Sequence, residues 1–283
     1  MSAVREIKRR IKSASNIGQV TRALEMVSAV KMKKAQAASL SGQPYADYLK
    51  SALLTLTGDQ ELAHPFLTQP QSTNRLLVIV VGPQKGLAGS LISNLGRKLW
   101  NFKHDHPVQL TGVSFGKKGR DLLVKQGIHL DADFGSQKNQ VLSEQISALT
   151  AYIDSRFRSG QFDVVYVIYS RFVNTMVQKP EVLQLLPAIS LKGDSDNSLT
   201  QFTFEPSRGQ LLDMLLEHYM QSTLRQIIFD SSAAEHSARM VAMKNANENA
   251  ADIVKELGLT YNKIRQSAVT SEIADIISGS LSN

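Results

Sequence analysis

The sequence predicts an α/β protein: a long antiparallel coiled coil of N- and C-terminal helices, with a largely parallel sheet inserted between them. Three observations carry this expectation. Apolar or small residues recur at helical steps from Val4 to Val30. Strand-like and helix-like runs then alternate from about Asn74 to Pro187. Finally, the last 77 residues contain no proline.

The first element covers about residues 1–57. Its candidate stripe is Val4, Ile7, Ile11, Ala14, Ile17, Val20, Leu24, Val27 and Val30. The steps are all 3 or 4, which winds a stripe around one helix face without a strict heptad seam. Residues 58–201 form the second region. Its strand candidates are LLVIVV (76–81), VQLTGVSF (108–115), HLDADF (129–134) and FDVVYVIYS (162–170). Between them lie helix candidates at 90–102, 117–126 and 139–157. Strand–helix alternation at this spacing implies a Rossmann-like α/β domain, and a polar linker at 191–201 closes it.

The third region, residues 202–283, carries one stripe from Leu212 through Leu216, Met220, Leu224, Ile227, Ser231, Ala234, Ala238 and Val241 to Asn245. A helix over that whole stretch would be roughly 110 Å long at ~1.5 Å per residue. The stripe begins with Leu and Met, becomes Ala and Ser, and ends polar. A two-helix seam fades in this way where one partner stops before the other. The stretch RMVAMKNANENAADIVKEL (239–257) is rich in helix formers yet too polar for a core helix.

Composition limits the chemistry. There are no cysteines, which excludes disulfides, thiolate metal sites and cysteine nucleophiles. LLVIVV is far shorter than the ~20 apolar residues of a membrane span. The net charge of +7 sits in the first fifty residues, where ten Lys and Arg face three acidic residues. Aromatic residues are absent from 1–44, which argues against base stacking and nucleic acid as a partner.

The motifs that suggest enzymes do not complete. VVGPQKGLAGSLISNLG spaces Gly82, Gly86 and Gly89 wrongly for a dinucleotide fingerprint, and no acidic residue follows at the ribose position. GVSFGKKGRD places three residues between Gly112 and Gly116 and has Lys118 where a phosphate loop has Ser or Thr. His104 and His106 in KHDHP reach Asp105 but no further metal ligand. No nucleophile elbow and no isolated carboxylate pair appears. Neither a catalytic residue, a cofactor nor a metal is expected.

Two stretches carry a family resemblance. LEMVSAVKMKKAQ (24–36) resembles the N-terminal helix signature of the gamma subunit of F-type ATP synthases. EHSARMVAMKNANENAADIVKELGLTYNKIRQSAVTSEIADIISG (235–279) is similar to the C-terminal signature of that family. REIKRRIKS, FVNTM (172–176) and LQLLP (183–187) fall in the matching order. The loop GPQKGLAGSLISNL departs from the family pattern, with Pro83 and Gln84 where small polar and acidic residues are expected.

The resemblance implies a central-stalk rotor subunit without an active site. It would transmit torque between a proton-driven c-ring and a hexamer of three alpha and three beta subunits, beside epsilon. The implied location is peripheral, on the cytoplasmic face of the bacterial plasma membrane. Met26 is carried over as a contact with the alpha/beta ring. Lys8, Arg9, Lys12, Lys31, Lys33 and Lys34 are expected to supply positive charge toward an acidic loop of beta. Arg265, Gln266 and Thr270 match the family's catch positions on the ring. Phe202, Phe204 and Glu205, in FTFEP, match the foot near the c-ring. The rotor reading also explains the polar terminal helix as a bearing surface, small and polar side chains keeping each dwell contact weak. Residues alone leave two other readings: a basic coiled-coil adaptor on an acidic partner or membrane, and a Rossmann-like small-molecule enzyme.

Overall fold

The computed structural model describes residues 2–57, 64–70, 73–135, 142–188, 205 and 207–281. The elements run α1 (Ser2–Thr57), β1 (Arg75–Val81), α2 (Leu91–Asp105), β2 (Gln109–Phe115), α3 (Lys117–Lys125) and β3 (His129–Phe134). They continue with α4 (Leu142–Arg158), β4 (Val164–Phe172), β5 (Gln178–Leu186) and α5 (Arg208–Leu281). The chain divides into two compact units, and the division runs through both long helices. One unit joins Met1–Ala29 to Arg239–Asn283, and the other is Val30–Ala238.

In the larger unit the sheet order is β3-β2-β1-β4-β5. β1 pairs parallel with both β2 and β4, β2 pairs parallel with β3, and β4 pairs antiparallel with β5. β1 reads RLLVIVV because a central parallel strand is buried on both faces. Leu76, Val78 and Val80 enter one core with Leu95, Leu99 and Phe102 of α2 and Leu123 of α3. Leu77, Ile79 and Val81 enter the other, with Ile146, Leu149 and Ile153 of α4, Leu53 of α1, and Leu212 to Ile228 of α5. The chain returns from β3 across β1 to β4, reversing direction in the sheet. Crossovers keep one hand, so α4 lands on the face opposite α2 and α3.

β5 is an element the sequence reading missed. QKPEVLQLL contains Pro180 and lacks a clear alternation, which argues against a central strand. It is an edge strand, where one missing N–H is tolerated. α1 continues through Pro44, which forgoes a single helical hydrogen bond.

The stripe expected on α1 is corrected. Ile17, Val20, Val27 and Val30 are 54%, 59%, 51% and 69% exposed. In the smaller unit the inward line is Val4, Ile7, Ile11, Ala14, Gly18, Thr21, Glu25 and Ser28, each half-buried or buried. In the larger unit it is Met32, Ala35, Ser39, Gly42, Ala46, Leu49, Leu53 and Leu56. Along both, the steps alternate strictly 3 and 4, the repeat of a left-handed two-helix seam. Small residues hold that register because they let two backbones approach.

The α5 stripe is corrected in the same way beyond Ala238. Asn245 is exposed, and the inward line in the smaller unit is Met243, Asn247, Ala250, Val254, Leu257, Tyr261, Ile264 and Ala268. Here the two helix segments pair antiparallel. A Cβ placed on Gly18 would sit 3.4 Å from Asn247 Oδ1 and 3.6 Å from Ala250 Cβ. Asn247 and Ala250 therefore face α1 at Gly18, while Asn245 and Asn249 of the same stretch stay exposed.

Candidate partner-binding surfaces

The sheet's carboxyl end is where open α/β sheets hold ligands, at the point where strand order reverses between β1 and β4. In this protein α5 packs there in part, beside a cavity that stays open at the ends of β1 and β2. Ala234 and Ala238 of α5 pack with Ala88, Leu91 and Phe172 just beyond those strand ends. Gly82, at the end of β1, is in backbone contact with α3: an added Cβ would lie 2.4 Å from Gly119 N. The amides opening α3 are also committed, Lys118 N–H donating to Pro83 O at 2.9 Å and Gly119 N–H to Gly116 O at 3.0 Å. The Gln84 amide donates to Gly135 O, so the unusual Pro83-Gln84 pair ties this loop to α3 and to the end of β3.

His106 is also internal: its ring stacks on Phe102 at 4.3 Å and its Nδ1 contacts Phe102 O at 2.9 Å. His104 stacks separately on Trp100. The two histidines thus serve two different ring contacts.

The perturbed titratable groups are structural ties. Burial pushes the Asp163 carboxyl up, but bonds from Arg75 and from the N–H groups of Arg75 and Asn74 hold it, on balance, below its ordinary value. The guanidinium bond is 2.7 Å and both backbone bonds are 2.9 Å. Asp213 is lowered chiefly by His64, with Arg158 adding to it. His64 Nδ1 accepts the Phe66 N–H, which leaves Nε2–H to donate to Asp213 at 3.0 Å. Asp230 is raised by burial, and its carboxylate accepts the Phe172 N–H.

The residues expected to meet partners are solvent-facing. Met26 is 59% exposed. Lys8, Arg9 and Lys12 are exposed, though Arg9 shares Glu6 with Arg10 at 2.7 and 3.1 Å. Hydrogen bonds from Arg10 and Arg9 hold the Glu6 carboxyl below its ordinary value. Lys31 and Lys34 turn toward the body of the larger unit. They line a cavity of about 520 Å³ with Gly82, Gln84, Glu235 and His236. Lys33 is exposed and lies outside that lining.

Arg265, Gln266 and Thr270 are exposed on α5, the Thr270 hydroxyl donating to Gln266 O at 2.9 Å. Glu205 is exposed, whereas Phe202 and Phe204 lie outside the described residues. A set of large apolar residues lies outside the seam of the smaller unit: Ile17, Val20 and Val27 on α1, which the sequence reading placed in the inward stripe, and Ile253, Leu259, Val269 and Ile273 on α5, which it did not single out. The strict 3–4 spacing of the small residues was the signal that would have freed Ile17, Val20 and Val27 for another role.

Fold and surfaces together define a protein built to engage other chains along two long helices. The family model described as ATP synthase matches residues 3–282. The ATP synthase gamma chain of Herpetosiphon aurantiacus is 39% identical over 292 aligned residues, covering 99% of this chain and 98% of that one. That of Roseiflexus castenholzii is 40% identical over 286 residues with the same coverage. Among solved structures, the rotor of the Euglena gracilis mitochondrial ATP synthase in rotational state 1 superposes with a TM-score of 0.67 at 18% identity. That superposition covers 95% of this chain and 99% of the rotor chain. A second structure of that enzyme, of its OSCP, F1 and c-ring in rotational state 3, gives 0.70 at 19% identity, covering 98% of this chain and 93% of the other. The chain belongs to the ATP synthase gamma chain family, the central-stalk subunit of the F-type enzyme. Among the described residues no helix is long and apolar enough to cross a membrane.

Proposed function

We propose that the chain transmits torque between a c-ring and an alpha/beta hexamer, and that it carries no active site of its own. The observation that carries this reading is the packing of α5 at the carboxyl ends of β1 and β4 through Ala234 and Ala238, which makes the Rossmann-like sheet a mount for the long helix. The smaller unit supports the reading from the other side. Its seam mixes small side chains such as Gly18, Thr21 and Ser28 with larger ones such as Ile11 and Met243, and Ile17, Val20, Met26, Val27, Leu259 and Val269 stay outward.

This arrangement alters the expected bearing. The small and polar residues build the shaft, and single large apolar residues set among charges meet the ring. Scattered contacts of that kind are individually weak, so the free-energy difference between successive dwells stays small. Met26, Arg265, Gln266 and Thr270 belong to this ring-facing set. Lys8, Arg9, Lys12 and Lys33 provide charge toward acidic surfaces of the ring. Lys31 and Lys34 do so from the rim of the cavity they line. Glu205, with Phe202 and Phe204, contributes to a foot on the c-ring. Epsilon binds beside that foot, and the assembly sits on the cytoplasmic face of a bacterial membrane. The units proposed for function are the helix 1–57, the inserted domain 58–201 and the helix 202–283.

Charge reversal tests the steering part of this reading. In a complex reconstituted with alpha and beta subunits, Lys33→Glu, and the triple reversal with Lys31→Glu and Lys34→Glu, should lower ATP hydrolysis at low salt, with the deficit shrinking as salt rises. Unchanged hydrolysis at low salt would discard a role for these charges.

A further inference from the structure

The layer formed by α2 and α3 covers one face of the sheet. The α1 and α5 segments of the same unit pack on the other face. Within the larger unit no described element lies over the outside of the α2–α3 layer, and that outside has a distinct chemistry. Residues 85–126 contain eight Lys and Arg against two Asp. Lys118 and Arg120 pair with Asp121 at 3.0 and 3.5 Å. Among the described residues, Arg97, Lys98, Lys103 and Lys125 are in no ion pair.

Between the two helices runs a groove of about 700 Å³. Leu122 and the Gly96 backbone form its floor, Lys103 and Lys125 flank it, and Trp100 and His104 form one wall. Trp100 is 57% exposed and its indole stacks parallel on the His104 ring at 5.6 Å, which fixes the wall. Lys103 Nζ donates to Gln126 O at 2.6 Å, which holds one ammonium at the rim while α2 and α3 stay pinned together.

We propose that this groove is a docking site for an acidic polypeptide segment whose single apolar or aromatic side chain enters between α2 and α3. Unpaired lysines around an apolar recess match carboxylates around an apolar anchor, the usual composition of a small interface with a buried centre and a charged rim. The groove is flanked by lysines from both helices, which suits a narrow polypeptide segment lying between them, and the vesicle titration below tests a lipid surface as the occupant. The inference does not depend on the shaft reading, because no residue of α1 or α5 contributes to the groove.

The sequence supplies its own probe, since Trp100 is the only tryptophan. The full chain is titrated with a short Glu/Asp peptide carrying one central Phe, and in parallel with phosphatidylglycerol vesicles, while Trp100 emission is followed. The expected result is a saturable emission change with the peptide, weakened roughly tenfold by Lys103→Glu with Lys125→Glu and weakened by salt. Lys8→Glu with Lys12→Glu, on the basic N-terminal helix, should leave that emission curve unchanged. If the double variant fails to fold because the Lys103–Gln126 bond is lost, Lys125→Glu alone decides, since the Lys125 ammonium makes no bond within the described residues. Equal peptide affinity in wild type and variant overturns the proposal, as does a saturable response to vesicles with none to the peptide.

Discussion

Replacing Gly18 by Ala should stabilise the two-helix seam, and replacing it by Leu should not. Gly18 is a half-buried helix-interior residue whose added Cβ would meet Asn247 Oδ1 at 3.4 Å and Ala250 Cβ at 3.6 Å. Both are ordinary van der Waals distances, so Ala enters without displacing a neighbour. Helix propensity alone favours Ala over Gly by about 0.8–1.0 kcal/mol. Leu gains a similar propensity term, but its branched carbons extend into space held by Asn247 and Ala250. Overpacking of that kind costs about 1–3 kcal/mol, which cancels or exceeds the gain. The assay is hydrogen exchange of the α1 amides around residue 18 in the full chain, because a global melt would mix two units. A gain of about 1 kcal/mol corresponds to exchange slowed roughly fivefold. Faster exchange in Gly18→Ala, or equal protection in the Ala and Leu variants, would show that residue 18 faces solvent, and the seam register would be wrong.

Three further outcomes follow from the packing. Leu224 is fully buried against the sheet, so Leu224→Ala should cost about 2–5 kcal/mol in urea unfolding, and a loss below ~1 kcal/mol would contradict its placement in the core. Asp163 has a depressed folded-state pKa, so its contribution is present above the ordinary carboxylate value and is lost as pH falls through the lower folded value. Asp163→Asn should therefore destabilise at neutral pH by about 1–3 kcal/mol and flatten the acid limb of the stability curve, and an unchanged limb would remove Asp163 as its source. Deleting the chain from Ser271 onward should reduce torque in single-complex rotation while assembly persists; loss of assembly would make that terminus a structural plug.

Much of the fold was legible because burial imposes period. LLVIVV could be read as a strand from its unbroken apolar run, and HLDADF was placed at its observed residues, His129–Phe134. β5 escaped because an edge strand with Pro180 carries little pattern of its own. The α1 seam escaped for a deeper reason. Burial was inferred from side-chain size, but a close two-helix seam selects small residues, so Gly18, Thr21 and Ser28 went in while Ile17, Val20 and Val27 stayed out. Within the Asn-rich stretch of α5, Asn247 faces Gly18 while Asn245 and Asn249 stay exposed, a split that polarity alone does not encode. The charged and catch positions were expected from motif likeness alone, and Arg265, Gln266 and Thr270 lie exposed on α5. That Lys31 and Lys34 turn to a cavity while Lys33 does not depends on α1's neighbours in the folded unit, which local spacing does not encode.

The most direct measurement is reconstitution of the chain with alpha and beta subunits, reading complex mass and ATP hydrolysis together. The account predicts a complex with three alpha, three beta and one copy of this chain, showing sustained hydrolysis. A chain that stays apart, with hydrolysis no higher than that of alpha and beta alone, would contradict it and leave a basic coiled-coil adaptor as the reading of these helices.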